Sequence, residues 1–254
     1  MWNKSAKKSK AEEERSLSIA DLRLAIPWYL HPAEAPEQWS ELIKQGRLGR
    51  VAFAVVNVAS GPGEADDPYY PAALTRLREG GVPLHGYVDT DYSARPARDV
   101  MADVAVWLNR YQVEGIMFDR VSPDPANLPY YQPIAAFARQ AGIKTLVGNP
   151  GMVPHPDYLD TFDVSCVFEN LDGMHRRLAT MASPEGIPPE RLWHLVYGVP
   201  QSGFEATLNR VASQGAGLAF ITDRTGDNPW SGLPAELIEV VNRHGVHGRH
   251  RAHT

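Results

Sequence analysis

The sequence predicts a single (β/α)8 TIM barrel of the α/β class, and three observations predict it. Short apolar runs bounded by turn signals recur eight times, which is the pattern of parallel strands buried on both faces. Helix-like stretches separate the runs, so parallel pairing through right-handed crossovers follows. Several runs end on a carboxylate, a carboxamide or a phenol, and the C-terminal ends of the strands are where such barrels place their chemistry. The 254 residues suit one barrel of about 250 residues. No composition shift marks a second domain.

The first strand is read at Leu24 to Tyr29, stopped by Pro32, with a helix near Glu37 to Gln45 ended by Gly46. Val51 to Val58 follows, then a Gly/Pro/Asp loop and a helix over Pro71 to Glu79. The third strand is Leu84 to Val88. Its helix, Ala97 to Tyr111, carries Val100, Val104, Trp107, Leu108 and Tyr111 at helical spacing. The fourth strand, Gly115-Ile116-Met117-Phe118, ends on Asp119. A proline-rich loop leads to a helix over Tyr131 to Ala141, closed by Gly142. Lys144 to Val147 is the fifth strand, followed by Gly148-Asn149-Pro150-Gly151 and a short helix at Pro156 to Thr161. Asp163 to Phe168 is the sixth strand and ends before Glu169, with a helix at Met174 to Met181. The seventh and eighth strands are Leu192 to Tyr197 and Gly217 to Thr222, with helices at Gly203 to Gln214 and Pro234 to Asn242.

The barrel is expected over residues 19–244, between an N-terminal tail (1–18) and a His-rich C-terminal tail (245–254). Residues 1–15 are rich in lysine and glutamate and have too little apolar content to order themselves. Net charge is −5, which gives no reason to expect nucleic acid as a partner. The lone cysteine, Cys166, excludes an intramolecular disulfide. No run of 18 apolar residues is present, so no membrane span is expected. The N-terminus lacks a signal peptide's apolar stretch. As given, the chain reads as cytoplasmic, or as a mature or trimmed form of an exported protein.

The strand ends and the loops after them collect Tyr29, His31, Asn57, Tyr87, Asp89, Tyr92, Asp119, Arg120, Asn149, Glu169, Tyr197 and Asp223 on one face. Phenols offer sugar rings a flat face and a polar handle. Two strand-end carboxylates are what glycosidic bond cleavage requires. Asp119 is short and followed by Arg120, so it should stay ionised and serve as nucleophile. Glu169 follows Val167 and Phe168, and a less polar neighbourhood suits a proton-carrying general acid/base. Trp28, Trp193 and Trp230 lie near the same end, with Trp28 and Trp193 free to point into the helix layer. Asp223 fits an ion pair with Arg224 as well as it fits a catalytic role. His31 has no companion at metal-ligand spacing, so neither a metal nor an organic cofactor is expected. Ser60-Gly61-Pro62-Gly63 lacks the Lys-Ser/Thr of a phosphate loop. An esterase or deacetylase would need a Ser-His-acid elbow, which is missing.

Ala25-Ile26-Pro27-Trp28-Tyr29-Leu30-His31-Pro32 opens a series of short motifs. It continues through Asn57 with Ser60-Gly61-Pro62-Gly63, Gly86-Tyr87-Val88-Asp89-Thr90-Asp91-Tyr92, Gly115 to Asp119, Asn149-Pro150-Gly151 and Phe168-Glu169. In that order, over roughly residues 24 to 225, they resemble the spherulin-4-like proteins. That resemblance implies a (β/α)8 glycoside hydrolase related to endo-acting α-1,4-galactosaminidases, acting on galactosamine-containing microbial exopolysaccharides. It also implies that Asp119 and Glu169 are the catalytic pair. The family pattern usually carries Asp-Glu after the fourth strand, and here the second position is Arg120. A cation beside the site would repel a free amino sugar and favour a neutral, acetylated or acidic one. The expected partner is a polysaccharide or oligosaccharide. The alternative is a catalytically silent barrel that binds such a polymer.

Overall fold

The apolar runs form strands because both of their faces find cover, helices outside and side chains from other strands inside. The computed structural model describes residues 17–177 and 186–245. Eight parallel strands close in sequence order: β1 (Arg23–Trp28), β2 (Val51–Val56), β3 (Leu84–Asp89), β4 (Gly115–Asp119), β5 (Thr145–Gly148), β6 (Val164–Leu171), β7 (Leu192–Tyr197) and β8 (Leu218–Ile221). β8 pairs back onto β1 through Arg23–Leu218 and Leu24–Ala219. The helices are α1 (Pro36–Arg47), α2 (Tyr70–Glu79), α3 (Ala97–Val106), α4 (Leu128–Ala141), α5 (Tyr158–Thr161), α6 (Asp172–Arg177), α7 (Phe204–Ser213) and α8 (Ala235–Arg243). The (β/α)8 barrel read from the sequence is the observed fold.

The N-terminal mouth is plugged by aromatic rings. His85 on β3 stacks on Phe53 of β2 with centroids 4.3 Å apart, and Phe53 meets Trp193 of β7 edge-on at 5.4 Å. β2 and β7 are not neighbours in the sheet, so this last contact crosses the interior. Trp193 therefore points inward, not into the helix layer. Trp28 does join the helix layer, edge-on to Trp39 of α1 at 5.7 Å.

Three local departures from the sequence reading matter for the site. Helix α3 does not run on to Tyr111 as an α-helix; Trp107–Tyr111 forms a π-turn that ends at Gln112 in the left-handed region. Strand β6 continues past Glu169 to Leu171, with its register against β7 shifted between Cys166 and Phe168. The ordered domain begins before residue 19: Leu17 packs on the core, and the Ser18 hydroxyl donates to Asp21 at 2.7 Å. The remainder of both expected tails, and residues 178–181 of the expected sixth helix, lie outside the described residues.

Candidate active site

Asp119 ends β4 beside Asp89, its register partner at the end of β3. Its side chain is fixed from two directions. The Tyr87 hydroxyl donates to Oδ2 at 2.8 Å, and Asn149 Nδ2 donates to Oδ1 at 2.7 Å. Tyr87 is itself positioned by the π-turn, because the Trp107 indole donates to its carbonyl at 2.8 Å. That approach requires Gly86: a Cβ there would lie 2.4 Å from the Trp107 ring. Thr90, fully buried, places its hydroxyl 2.9 Å from the carbonyls of both Asp119 and Arg120 and ties the end of β4 to the loop after β3. The sequence reading missed Trp107 and Thr90 as supports of the site. Helical spacing marked Trp107 only as core.

Glu169 reaches the same place from β6. The register shift makes Val167 an extra residue, and such bulges re-aim the side chains beyond them. The loop after β5 then folds back, with Met152 bridging Phe168 and the Glu169 N–H donating to the Gly151 carbonyl at 3.0 Å. Asn149 joins the two halves. Its own backbone is held by β4 and the turn after it: its N–H donates to the Phe118 carbonyl (2.8 Å) and its carbonyl accepts from the Val121 N–H (3.0 Å). The Asn149 amide nitrogen lies 2.7 Å from an Asp119 oxygen and 2.5 Å from a Glu169 oxygen. Those two carboxylate oxygens are therefore no more than about 5.2 Å apart, the sum of the two reaches.

Both carboxyls are pushed above their ordinary range. Burial raises Asp119 most, and the nearby Asp89 charge adds to it. The Tyr87 hydroxyl, the Arg120 N–H and the Asn149 amide work against the rise. Glu169 is pushed up to about 7, first by burial and then by the Asp119 charge, with only the Asn149 bond opposing. Asp119 has three hydrogen bonds favouring its anion and Glu169 has one, so the proton the pair retains resides on Glu169.

Arg120 sits at φ +50°, and this turn carries its side chain away from Asp119. The guanidinium grips Asp89 with two donors, Nε to Oδ1 at 2.8 Å and Nη2 to Oδ2, and reaches Asp91 at 2.9 Å. Burial alone would raise Asp89, but the Arg120 bonds and the Asp91 N–H hold it below the usual carboxylate range. Two corrections follow. The bonds that favour the Asp119 anion come from Tyr87, Asn149 and a backbone N–H, not from the neighbouring guanidinium. Arg120 is also no uncompensated cation, because two carboxylates face it and the cluster is net negative.

The other sequence candidates fall into an inner and an outer group. Tyr29 lies edge-on to Tyr87 at 5.5 Å, and burial, reinforced by the Asp119 charge, pushes its phenol well above the usual value. Tyr197 lies edge-on to Trp230 at 5.9 Å. Tyr92 is exposed over the Arg120 guanidinium, 5.9 Å from ring centroid to cation. His31 turns to Asp67 at 3.0 Å and lies between Tyr69 and Tyr70. Asn57 accepts from the Gly61 N–H at 2.9 Å and staples the loop after β2. Asp223 is exposed, and Arg224 donates instead to the Gly232 carbonyl at 3.0 Å. Among the described residues, no group of three or more His, Cys, Asp or Glu side chains is placed to hold a metal ion, and no helix is long and apolar enough to cross a membrane.

The profile of spherulation-specific family 4 (Spherulin4) matches residues 23–243, almost the whole barrel. The chain belongs to this family. Spherulin-4 of Physarum polycephalum is 26% identical over 217 residues, which is 81% of this chain and 64% of that protein. The chain thus spans a little under two thirds of that relative's length. Among solved structures, Sph3 of Aspergillus clavatus, in complex with GalNAc, superposes with a TM-score of 0.76 at 25% identity, covering 91% of this chain and 98% of Sph3. A GH113 β-1,4-mannanase shares the fold at a TM-score of 0.54 and 10% identity, covering 91% of this chain and 99% of its own.

Proposed function

We propose that this family 4 protein is a retaining, endo-acting glycoside hydrolase of a galactosamine-containing exopolysaccharide, with Asp119 as nucleophile and Glu169 as general acid/base. The observation that carries the reading is the shared Asn149 amide, which keeps the facing carboxylate oxygens within about 5.2 Å. Retaining enzymes hold their carboxyl groups about 5–5.5 Å apart, whereas inverting ones leave about 6.5–9.5 Å for a water. The proton distribution fits the same division of labour. The Asp119 anion attacks the anomeric carbon as the glycosidic C–O bond breaks, and the Glu169 proton passes to the leaving oxygen. Glu169, now anionic, takes a proton from a water whose oxygen displaces Asp119, which restores both groups. An acid held at about 7 is poised to give and regain a proton near neutral pH.

Two features support an amino sugar as the substrate unit. Sph3, which shares the fold and a quarter of the sequence, was solved with GalNAc. The Asp89–Arg120–Asp91 cluster carries one cation against two anions, so it offers no repulsion to an amino sugar.

Azide rescue tests the roles. With an activated aryl galactosaminide, Asp119→Ala should be rescued to a glycosyl azide of inverted configuration. Glu169→Ala should yield one of retained configuration. The opposite pairing would exchange the roles. A wild type that binds the polymer and leaves every glycosidic bond intact would make the protein a silent binding barrel.

A further inference from the structure

Glu169 faces Asp119 only because β6 breaks its own alternation. Cys166 pairs with Trp193, which points into the barrel, and partners in a parallel register share a face. An unbroken strand would therefore turn Val167 outward, Phe168 inward and Glu169 outward. The shift pairs Phe168 with His194 and Glu169 with Leu195 instead. Phe168 thus takes the helix side and Glu169 the barrel interior. Whatever holds the Phe168 ring outside holds the Glu169 carboxyl inside.

Two imidazoles form that seat. His175 of α6 meets the Phe168 ring edge-on at 4.7 Å, and His194 of β7 lies tilted against it at 5.7 Å. The two are bonded to each other, His175 Nε2 to His194 Nδ1 at 3.1 Å. Both are buried, His175 completely. One nitrogen must donate and the other accept, which a neutral pair can do and a doubly protonated pair cannot. Burial, followed by the Arg210 charge, lowers His175 to about 4 against the opposing pull of Asp172 and Gln214. Burial and then the His175 charge lower His194 to about 3. The bond therefore persists at neutral pH. Helix α6 is itself anchored, because Asp172 at its start accepts from Arg210 Nη2 at 2.5 Å, Thr207 Oγ1 at 3.1 Å and Arg176 Nε at 2.8 Å. Helix α7 thus fixes α6, α6 carries His175, and His175 with His194 closes over Phe168.

We infer that His175 and His194 are positioning residues for the proposed acid/base, holding Glu169 toward Asp119 through the ring of Phe168. The catalytic consequence rests on the glycosidase reading, whereas the positioning itself is read without turnover. The test uses full-length protein. His194→Leu roughly keeps the side-chain volume and deletes the bond, and His194→Asn puts an amide near the place of Nδ1. Carboxyl NMR titration should find Glu169 at about 7 in wild type and displaced toward its ordinary 4.5 in His194→Leu, as the carboxyl draws away from the Asp119 charge. His194→Asn should restore most of the wild-type value. On the galactosamine polymer, His194→Leu should lower kcat at least about tenfold with KM nearly unchanged. If His194→Leu does not fold, His175→Leu, which leaves the His194 ring beside Phe168 and removes the bond, is read in its place. A folded leucine variant in which Glu169 titrates as in wild type would overturn the inference, whatever its Tm. So would a His194→Asn protein that behaves as His194→Leu does. A wild type that cleaves no glycosidic bond would sink the glycosidase reading alone, since the titration still decides whether the histidines set Glu169.

Discussion

Replacing Glu169 with glutamine should stabilise the protein, and the gain should depend on pH in a defined way. Burial and the Asp119 charge lift the Glu169 carboxyl from its ordinary 4.5 to about 7. Between those values the folded chain holds a proton that the unfolded chain has released. The native state therefore binds more protons than the unfolded state, and wild-type stability falls as pH climbs through that window. The loss amounts to about 1.4 kcal/mol per pH unit, so at most about 3 kcal/mol is forfeited above pH 7. Glutamine has no proton to lose and its carbonyl can still accept the Asn149 bond. Glu169→Gln should match wild type near pH 4.5 and exceed it by up to about 3 kcal/mol at pH 7.5, or roughly 5–10 °C in Tm. Urea unfolding at the two pH values reads the difference directly. An offset of the same size at both would refute the claim that Glu169 carries a displaced proton. The same variant should lose turnover on polymer, the usual exchange of stability for function at a buried carboxyl pair.

Further outcomes follow from the site's supports. Tyr87→Phe removes one bond to the Asp119 anion and should move only the acidic limb of the kcat/KM–pH profile upward. Asn149→Ala removes a donor shared by both carboxyls, so both limbs should move upward together, and a shift of one limb alone would contradict the bridge. Trp107→Phe deletes the indole bond to the Tyr87 carbonyl while keeping most of the ring. It should lower kcat more than it alters KM, and an unchanged pH profile and kcat would show that Tyr87 is held by packing alone. Arg120→Glu would gather three carboxylates and should destabilise the protein at low salt, with recovery of Tm in high salt. A carboxyl NMR titration should show Asp89 rising while Asp119 changes less.

The strands were legible because a parallel strand covered on both faces must be a short apolar run, and β4 from Gly115 to Asp119 is read to the residue. Asp119 was legible for the same reason, since the last residue of such a run faces the loops, whereas Glu169 lies two residues before the end of β6. What stayed hidden depends on non-local geometry. The direction of Arg120 is set by its positive φ and by Asp89, 31 positions earlier in the chain, so adjacency to Asp119 misled. The extra residue at Val167 leaves no mark on an unbroken apolar run. Asn149 was visible as a strand-end carboxamide, but its bridging role exists only once β4, β5 and β6 lie side by side. Trp193 gives no sequence sign of facing inward, because a strand apolar on both faces has no alternation to read.

The most direct measurement is the release of reducing ends from a partially acetylated α-1,4-galactosamine polymer by wild type, Asp119→Asn and Glu169→Gln side by side. Wild type should release them, Asp119→Asn should release none, and Glu169→Gln should fail on polymer yet still turn over an aryl glycoside with a good leaving group. Retention of wild-type activity by either variant on the polymer, or a wild type that binds the polymer without cutting it, would contradict the account.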